Sequence, residues 1–238
     1  MKLSIIIPAY NEEKTIEKTI ERVSNVFLQH VIKEIIIVDD GSTDKTTLKI
    51  KNYNLKEKNT KVIFHRKNAG KGNAIKTGIR YATGEYILIQ DADAEYNPQD
   101  IVRLLQPIQN NTAQVVYGSR LKRLPNFNNE EKTIHFFVHY LGNKLLSLLT
   151  SILYGAWITD METGYKIFPK KAVVAMQLHS RGFEFEPEIT AKLLKAGYKI
   201  NEIPITTSPR GYKEGKKLHT IHDGSIALWT ILKYRFSD

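Results

Sequence analysis

The chain has 238 residues, 42% of them apolar and 25% charged, a globular composition that argues against a disordered or fibrous protein. It contains no cysteine, which excludes disulfides, cysteine nucleophiles and thiolate-bound metals. The formal charge is +10, with +3 carried up to Ser119 and +7 beyond it, and such a surplus points to an anionic partner: phosphate, nucleic acid or an acidic membrane face.

The first half alternates strand and helix. Residues 3–7 form a β-branched run that Pro8 is expected to end, as in a buried parallel strand. Ile16, Ile20, Val23 and Phe27 recur at helical spacing and predict a helix over residues 12–27. Further strands are expected at residues 35–38, 62–64, 86–89 and 115–117, with helices near 43–52, 72–82 and 98–110. This alternation implies a mostly parallel sheet covered on both faces, whose ligand binds beyond the carboxyl ends of the strands. The second half is less regular. A polar loop at 124–132 leads into an apolar stretch at 134–157, in which Leu141, Leu145, Leu148, Leu149 and Ile152 share one side of a helix. A helix at 186–196 closed by Gly197, a strand at 200–205 and an amphipathic helix at 221–236 complete the chain. One domain covering residues 1–238 is expected. The amino-terminal apolar run is too short for a signal peptide, and His135, His139, Asn143 and Lys144 interrupt the long stretch, which argues against a spanning helix. A cytoplasmic protein, resting at most on a membrane surface, is the expectation.

Polar residues gather at the expected strand ends. Asp91-Ala92-Asp93 places two carboxylates where the backbone turns, and such oxygen ligands suit Mg²⁺ or Mn²⁺, with Glu95 as a third ligand; a solvated acidic turn is the plainer alternative. One acid of Asp39-Asp40 can accept hydrogen bonds from a base or ribose, while Ser42 and Thr43 are fitted to capping the next helix. Gly70-Lys71-Gly72 lacks Walker spacing and reads equally well as a turn entering a helix, with Lys71 in reach of a ligand. The basic segment 210–217 and Arg120 can neutralise a diphosphate. Neither histidine pair, His135 with His139 or His219 with His222, carries the Glu of a zinc protease motif, and no serine-hydrolase elbow is present.

Taken in order, Pro8-Ala9-Tyr10-Asn11-Glu12, Val38-Asp39-Asp40-Gly41-Ser42, Asn68-x-Gly70-Lys71-Gly72, Asp91-Ala92-Asp93, Gly118-Ser119-Arg120, Asp160-Met161-Glu162-Thr163-Gly164-Tyr165-Lys166 and the 210–217 loop resemble the inverting family-2 glycosyltransferases, in the dolichyl-phosphate mannose synthase-like branch. The resemblance implies a GT-A, Rossmann-like fold with a nucleotide-sugar-binding half at 1–120 and an acceptor-binding half at 121–238. It implies a GDP- or UDP-hexose donor held by Pro8, Ala9, Tyr10, Glu12, Asp39, Asp40, Lys71, Asp91, Ala92, Asp93, Arg120, Arg210 and Lys217. Asp91, Asp93 and Glu95 would hold Mg²⁺ or Mn²⁺, and Asp93, Asp160 and Arg210 would form the catalytic group. The implied acceptor is a polyprenyl or dolichyl phosphate, met by the apolar helix as a peripheral element at the inner membrane face; the alternative for that helix is a core element. Two departures from the branch are Ala94-Glu95 after the paired acids and Gly215-Lys216-Lys217 in the basic loop. A hydroxyl acceptor, with Asp160 as general base, and a basic nucleic-acid-binding protein are the rival readings; no nucleic-acid partner is expected under the main one.

Overall fold

The computed structural model describes residues 1–54, 60–121, 134–208 and 220–237. Its strands are β1 (Lys2–Ala9), β2 (Ile32–Asp39), β3 (Thr60–Phe64), β4 (Tyr86–Ile89), β5 (Val115–Ser119), β6 (Lys166–Pro169) and β7 (Ile200–Pro204). They form one sheet in the order β3-β2-β1-β4-β6-β5-β7, and every pairing is parallel except those of β6. The helices are α1 (Ile16–Ser24), α2 (Thr46–Asn54), α3 (Lys71–Tyr81), α4 (Asp100–Gln109), α5 (Ile134–Tyr154), α6 (Lys170–Val174), α7 (Phe185–Lys195) and α8 (Thr220–Phe236).

Because side chains alternate across a strand, consecutive isoleucines serve opposite layers. Ile5, Ile7, Ile35 and Ile37 pack with Ile16, Ile20 and Val23 of α1 and Leu104 of α4. Ile6, Ile36 and Val38 pack on the other side with Ile75 and Ile79 of α3 and Ile189 and Leu193 of α7. The unbroken apolar runs of β1 and β2 are therefore required, since neither face meets water.

Three expectations need correction. Pro8 does not end β1; the strand pairs with β2 through Ala9. The Ile6 carbonyl accepts from Gln90 on the β4 side, so Pro8, two residues on, also faces β4, and that ladder stops at the Ile6–Ile89 pair. Its missing N–H is thus not needed. Helix α1 is shorter than 12–27: the Glu12 carbonyl accepts from Thr15 and Ile16 in a turn before the helix, and Phe27 lies beyond it, exposed. Strand β6 is not among the expected elements. It has only four residues, too few for a periodicity.

Helix α5 inverts the usual arrangement. Asn143, Ser147, Thr150 and Ser151 are buried, whereas Val138, Leu141, Leu145, Leu148 and Ile152 face outward and exposed. An ordinary surface helix turns its apolar stripe to the core. No helix of the described residues is long and apolar enough to cross a membrane.

Candidate active site

All parallel strands point their carboxyl ends to one edge, and β6, running the other way, brings its amino-terminal approach to that same edge. Asp40 after β2, Asp91 and Asp93 after β4, Arg120 after β5, and Glu162 and Gly164 before β6 consequently line one cleft of about 390 Å³. The amino-terminal ends of α3 and α7 add Lys71 and Glu186.

The wall at β1 and β2 is stitched by loop contacts. Asn11, at φ 49°, donates its N–H to the Ser42 hydroxyl at 2.9 Å, and its side-chain oxygen accepts from the Thr43 N–H at 2.8 Å. Glu12 is buried, with its N–H on the Thr46 hydroxyl and one carboxylate oxygen accepting from Thr15. Asp40 accepts from the N–H groups of Ala69 and Gly70 and pairs with His65 Nδ1 at 2.6 Å, which fixes the loop entering α3. Pro8, Ala9, Tyr10, Glu12 and Asp40 all reach the cleft. Asp39 does not line it; its oxygens accept from the Ser42 N–H and the Thr47 hydroxyl inside the β2–α2 turn.

The glycines of Gly70-Lys71-Gly72 serve packing. A Cβ on Gly70, at φ 96°, would stand 2.3 Å from the Arg181 carbonyl oxygen. The N–H groups of Gly72 and Asn73 donate to the carbonyls of Gly182 and Arg181, so the first turn of α3 is occupied by protein backbone. Lys71 itself points into the cleft, with Nζ 2.8 Å from Asp91 and 3.2 Å from Glu186. Burial disfavours its charge, but these two carboxylates prevail and hold the ammonium above its ordinary pKa.

The β4 end is aimed by its supports. Thr19 of α1 donates to the Ala92 carbonyl at 3.1 Å, and Asp93 accepts from the Glu95 N–H across Ala94, which sits at φ 62°. Tyr96 stacks on Tyr165 at 4.6 Å and accepts the Gly164 N–H, drawing the β6 approach against Asp91. There a Cβ on Gly164 would lie 2.2 Å from Asp91 Oδ2, so any larger residue at this position must displace the Asp91 carboxylate. Asp91, Ala92, Asp93 and Glu95 line the cleft together, although among the described residues no group of three side chains is gathered as a ready metal cage. Two cleft carboxylates, one of them balanced by Lys71, fit a hard cation that takes its remaining ligands from a diphosphate and water.

Asp160 is fully buried behind Arg120. Its Oδ2 accepts from the Arg120 N–H and Nε, and its Oδ1 from Arg120 Nη2 and Asn143 Nδ2, all at 2.8–2.9 Å. Burial would raise its pKa, but the guanidinium and these donors hold it below the ordinary carboxylate value. A carboxylate so engaged orients Arg120 toward the cleft and is a poor proton acceptor. Buried Lys166 pairs with Glu186 at 2.8 Å and donates to the carbonyls of Met161 and Thr163. Neither Glu186 nor the 182–183 turn is marked in the sequence: the acidic first turn of α7 carries no motif, and only the tertiary approach to Lys71 and Lys166 makes Glu186 part of the site. Arg210 and Lys217 lie outside the described residues.

The whole chain superposes on glucosyl-3-phosphoglycerate synthase of Mycobacterium tuberculosis, solved with Mn²⁺, UDP and phosphoglyceric acid, with a TM-score of 0.75 over 79% of that chain at 16% identity. The fold is thus that of the GT-A glycosyltransferases, as the sequence implied. The profile described as Glycosyl transferase family 2 matches residues 4–174, and the chain belongs to that family. Among its relatives, a UDP-N-acetylglucosamine–dolichyl-phosphate N-acetylglucosaminyltransferase of Methanococcus voltae is 37% identical over 85% of this chain and 84% of its own length. A dolichol-phosphate mannosyltransferase of Pyrococcus furiosus is 30% identical over 98% of this chain, which spans 64% of that protein.

Proposed function

We propose that this glycosyltransferase moves a hexose from a nucleotide-diphosphate sugar to a polyprenyl phosphate at a membrane surface, with inversion at the anomeric carbon. The observation that carries the reading is the pairing of an acid- and cation-lined cleft with the inverted helix α5, joined through the Asn143–Asp160–Arg120 hydrogen bonds. The names of the relatives support a lipid-phosphate acceptor, and their differing sugars leave the donor to experiment.

Pro8, Tyr10, Glu12 and Asp40 form the wall that receives the nucleoside. Asp91 and Asp93 would hold Mg²⁺ or Mn²⁺, which when bound supplies positive charge to the departing diphosphate. Lys71, poised between Asp91 and Glu186, and Arg120, oriented by Asp160, add fixed positive charge where negative charge develops. An ionised phosphate needs no general base, which agrees with an Asp160 whose oxygens are committed to Arg120 and Asn143. This favours the phosphate acceptor over a hydroxyl. The exposed stripe of α5 would enter the headgroup boundary and bring the lipid phosphate to the cleft, aided by the basic second half.

The test is transfer from UDP- and GDP-sugars to a short polyprenyl phosphate, with Mg²⁺ or Mn²⁺ and with chelator. Metal-dependent formation of one lipid-linked hexose, lost in Asp93→Ala, is the expected result. Transfer only to hydroxyl acceptors would overturn the acceptor assignment, and absence of nucleotide-sugar binding would overturn the whole reading.

A further inference from the structure

Two cleft glutamates, Glu162 and Glu186, have buried oxygens without a hydrogen-bond donor among the described residues, but Glu186 is compensated by ion pairs to Lys71 and Lys166. Asp40 is held by His65 and two backbone N–H groups, Asp91 by Lys71, and Glu186 by Lys71 and Lys166. Glu162 lines the same cleft, yet its Oε1 is sealed from solvent and meets no hydrogen-bond donor among the described residues. The neighbouring cations are already committed: Arg120 to Asp160, and Lys166 to Glu186 and two carbonyls. Those carbonyls belong to Met161 and Thr163, so Lys166 clamps the backbone on both sides of Glu162. Two residues on, Gly164 is tied to the Tyr96 hydroxyl. The carboxyl is therefore presented on a fixed backbone with one acceptor left open, an arrangement that costs stability until a donor arrives.

The chemistry of that donor is restricted. Glu186 and Asp160 place negative charge around Glu162 while Lys166 and Arg120 place positive charge there, so the surroundings favour neither sign, and a neutral O–H or N–H group completes the open acceptor. The ribose and base of the donor also carry neutral donors, but the wall of Pro8, Tyr10, Glu12 and Asp40 receives those in the reading above, which leaves the groups of the transferred sugar for Glu162. We propose that Glu162 is a specificity-determining residue, accepting a hydrogen bond from a hydroxyl or N-acyl amide of the transferred sugar. The inference rests on the donor reading above. Burial pushes the carboxyl up to about 7, with Glu186 and Asp160 acting in the same direction against Lys166 and Arg120, so the group is ready to meet a neutral partner.

The experiment compares wild type with Glu162→Ala and the isosteric Glu162→Gln, using the nucleotide sugar that wild type turns over, its deoxy and deacylated analogues, and the sugar-free nucleoside diphosphate with Mg²⁺. Wild type should prefer the parent sugar over one analogue by at least about tenfold in kcat/KM. That preference should shrink to within about threefold in Glu162→Ala, while nucleoside diphosphate affinity stays within about twofold. Retention of the full preference in both variants would overturn the proposal. So would an equal fall in nucleoside diphosphate and nucleotide-sugar affinity, which marks a merely structural role. If Glu162→Ala does not fold, Glu162→Met carries the same comparison, since its side chain has similar length and offers the sugar no strong acceptor. Failure of wild type to bind any nucleotide sugar is a different result, one that removes the donor reading itself.

Discussion

The Asp160→Asn substitution separates a positioning role from a proton-accepting one. The carboxylate receives four hydrogen bonds, two on each oxygen, three of them from Arg120 and one from Asn143. Whichever way the substituted amide turns, its NH₂ group faces two donors, and the guanidinium loses its counter-charge. Removing one partner of a buried pair costs about 3–5 kcal/mol, and since the Arg120 side chain keeps 22% of its surface exposed, the lower end applies, about 3 kcal/mol. At roughly 2–4 °C per kcal/mol for a chain of this size, the melting point should fall by about 6–12 °C. The effect has a pH signature. Asp160 titrates below its unfolded value, so its contribution is present above about pH 4 and is lost as pH falls through the lower folded pKa; the gap between wild type and variant should close in acid. Denaturant titrations from about pH 3 to 8, with transfer measured at each pH where the protein is folded, provide the assay. A variant as stable as wild type near neutral pH that has nevertheless lost all transfer would refute the positioning argument and restore Asp160 as the base.

Other contacts carry their own expectations. Gly164→Ala places a methyl against Asp91 Oδ2 and should reduce kcat/KM at least about tenfold, with a rise in the metal concentration needed for half-maximal activity; unaltered metal dependence would contradict the packing. Glu162→Gln removes a carboxyl whose raised pKa of about 7 makes the folded state bind a proton that the unfolded state has released, so wild-type stability should decline between about pH 4.5 and 7 by up to about 3 kcal/mol relative to the variant. Parallel stability curves for the two proteins across that range would refute this. A Leu145→Glu/Leu148→Glu double variant should lose co-sedimentation with anionic vesicles while its nucleoside diphosphate affinity is unchanged, because both side chains face outward.

The sequence is most informative where local pattern and fold coincide. The β-branched runs of β1 and β2 and the helical spacing in α1 are periodic signals long enough to read, and the strand-end rule alone brings Asp40, Asp91, Asp93 and Arg120 to one edge. What stays hidden is what only packing decides. Pro8 looks like a terminator until the direction of its missing N–H is known. The leucines of α5 have the spacing of a core face, and which way a stripe points is not a property of the stripe. Asp39 and Asp40 are chemically equal in the sequence, yet strand alternation turns one into the β2–α2 turn and the other into the cleft. The partnership of Asp160 with Arg120, across 40 positions, leaves no local signal at all.

The placement of β6 also governs the order in which this chain can fold as it is made. β5 pairs only with β6 and β7, so it reaches the rest of the sheet through a strand synthesised roughly 50 residues later. At about 5–20 residues per second, the nascent chain carries an unpaired β5 and an open β4 edge for roughly 2–10 s. Such an edge invites pairing with other chains. A ribosome pause placed soon after Arg120 would lengthen the interval, whereas one placed after Pro204 comes when every strand of the sheet has been synthesised.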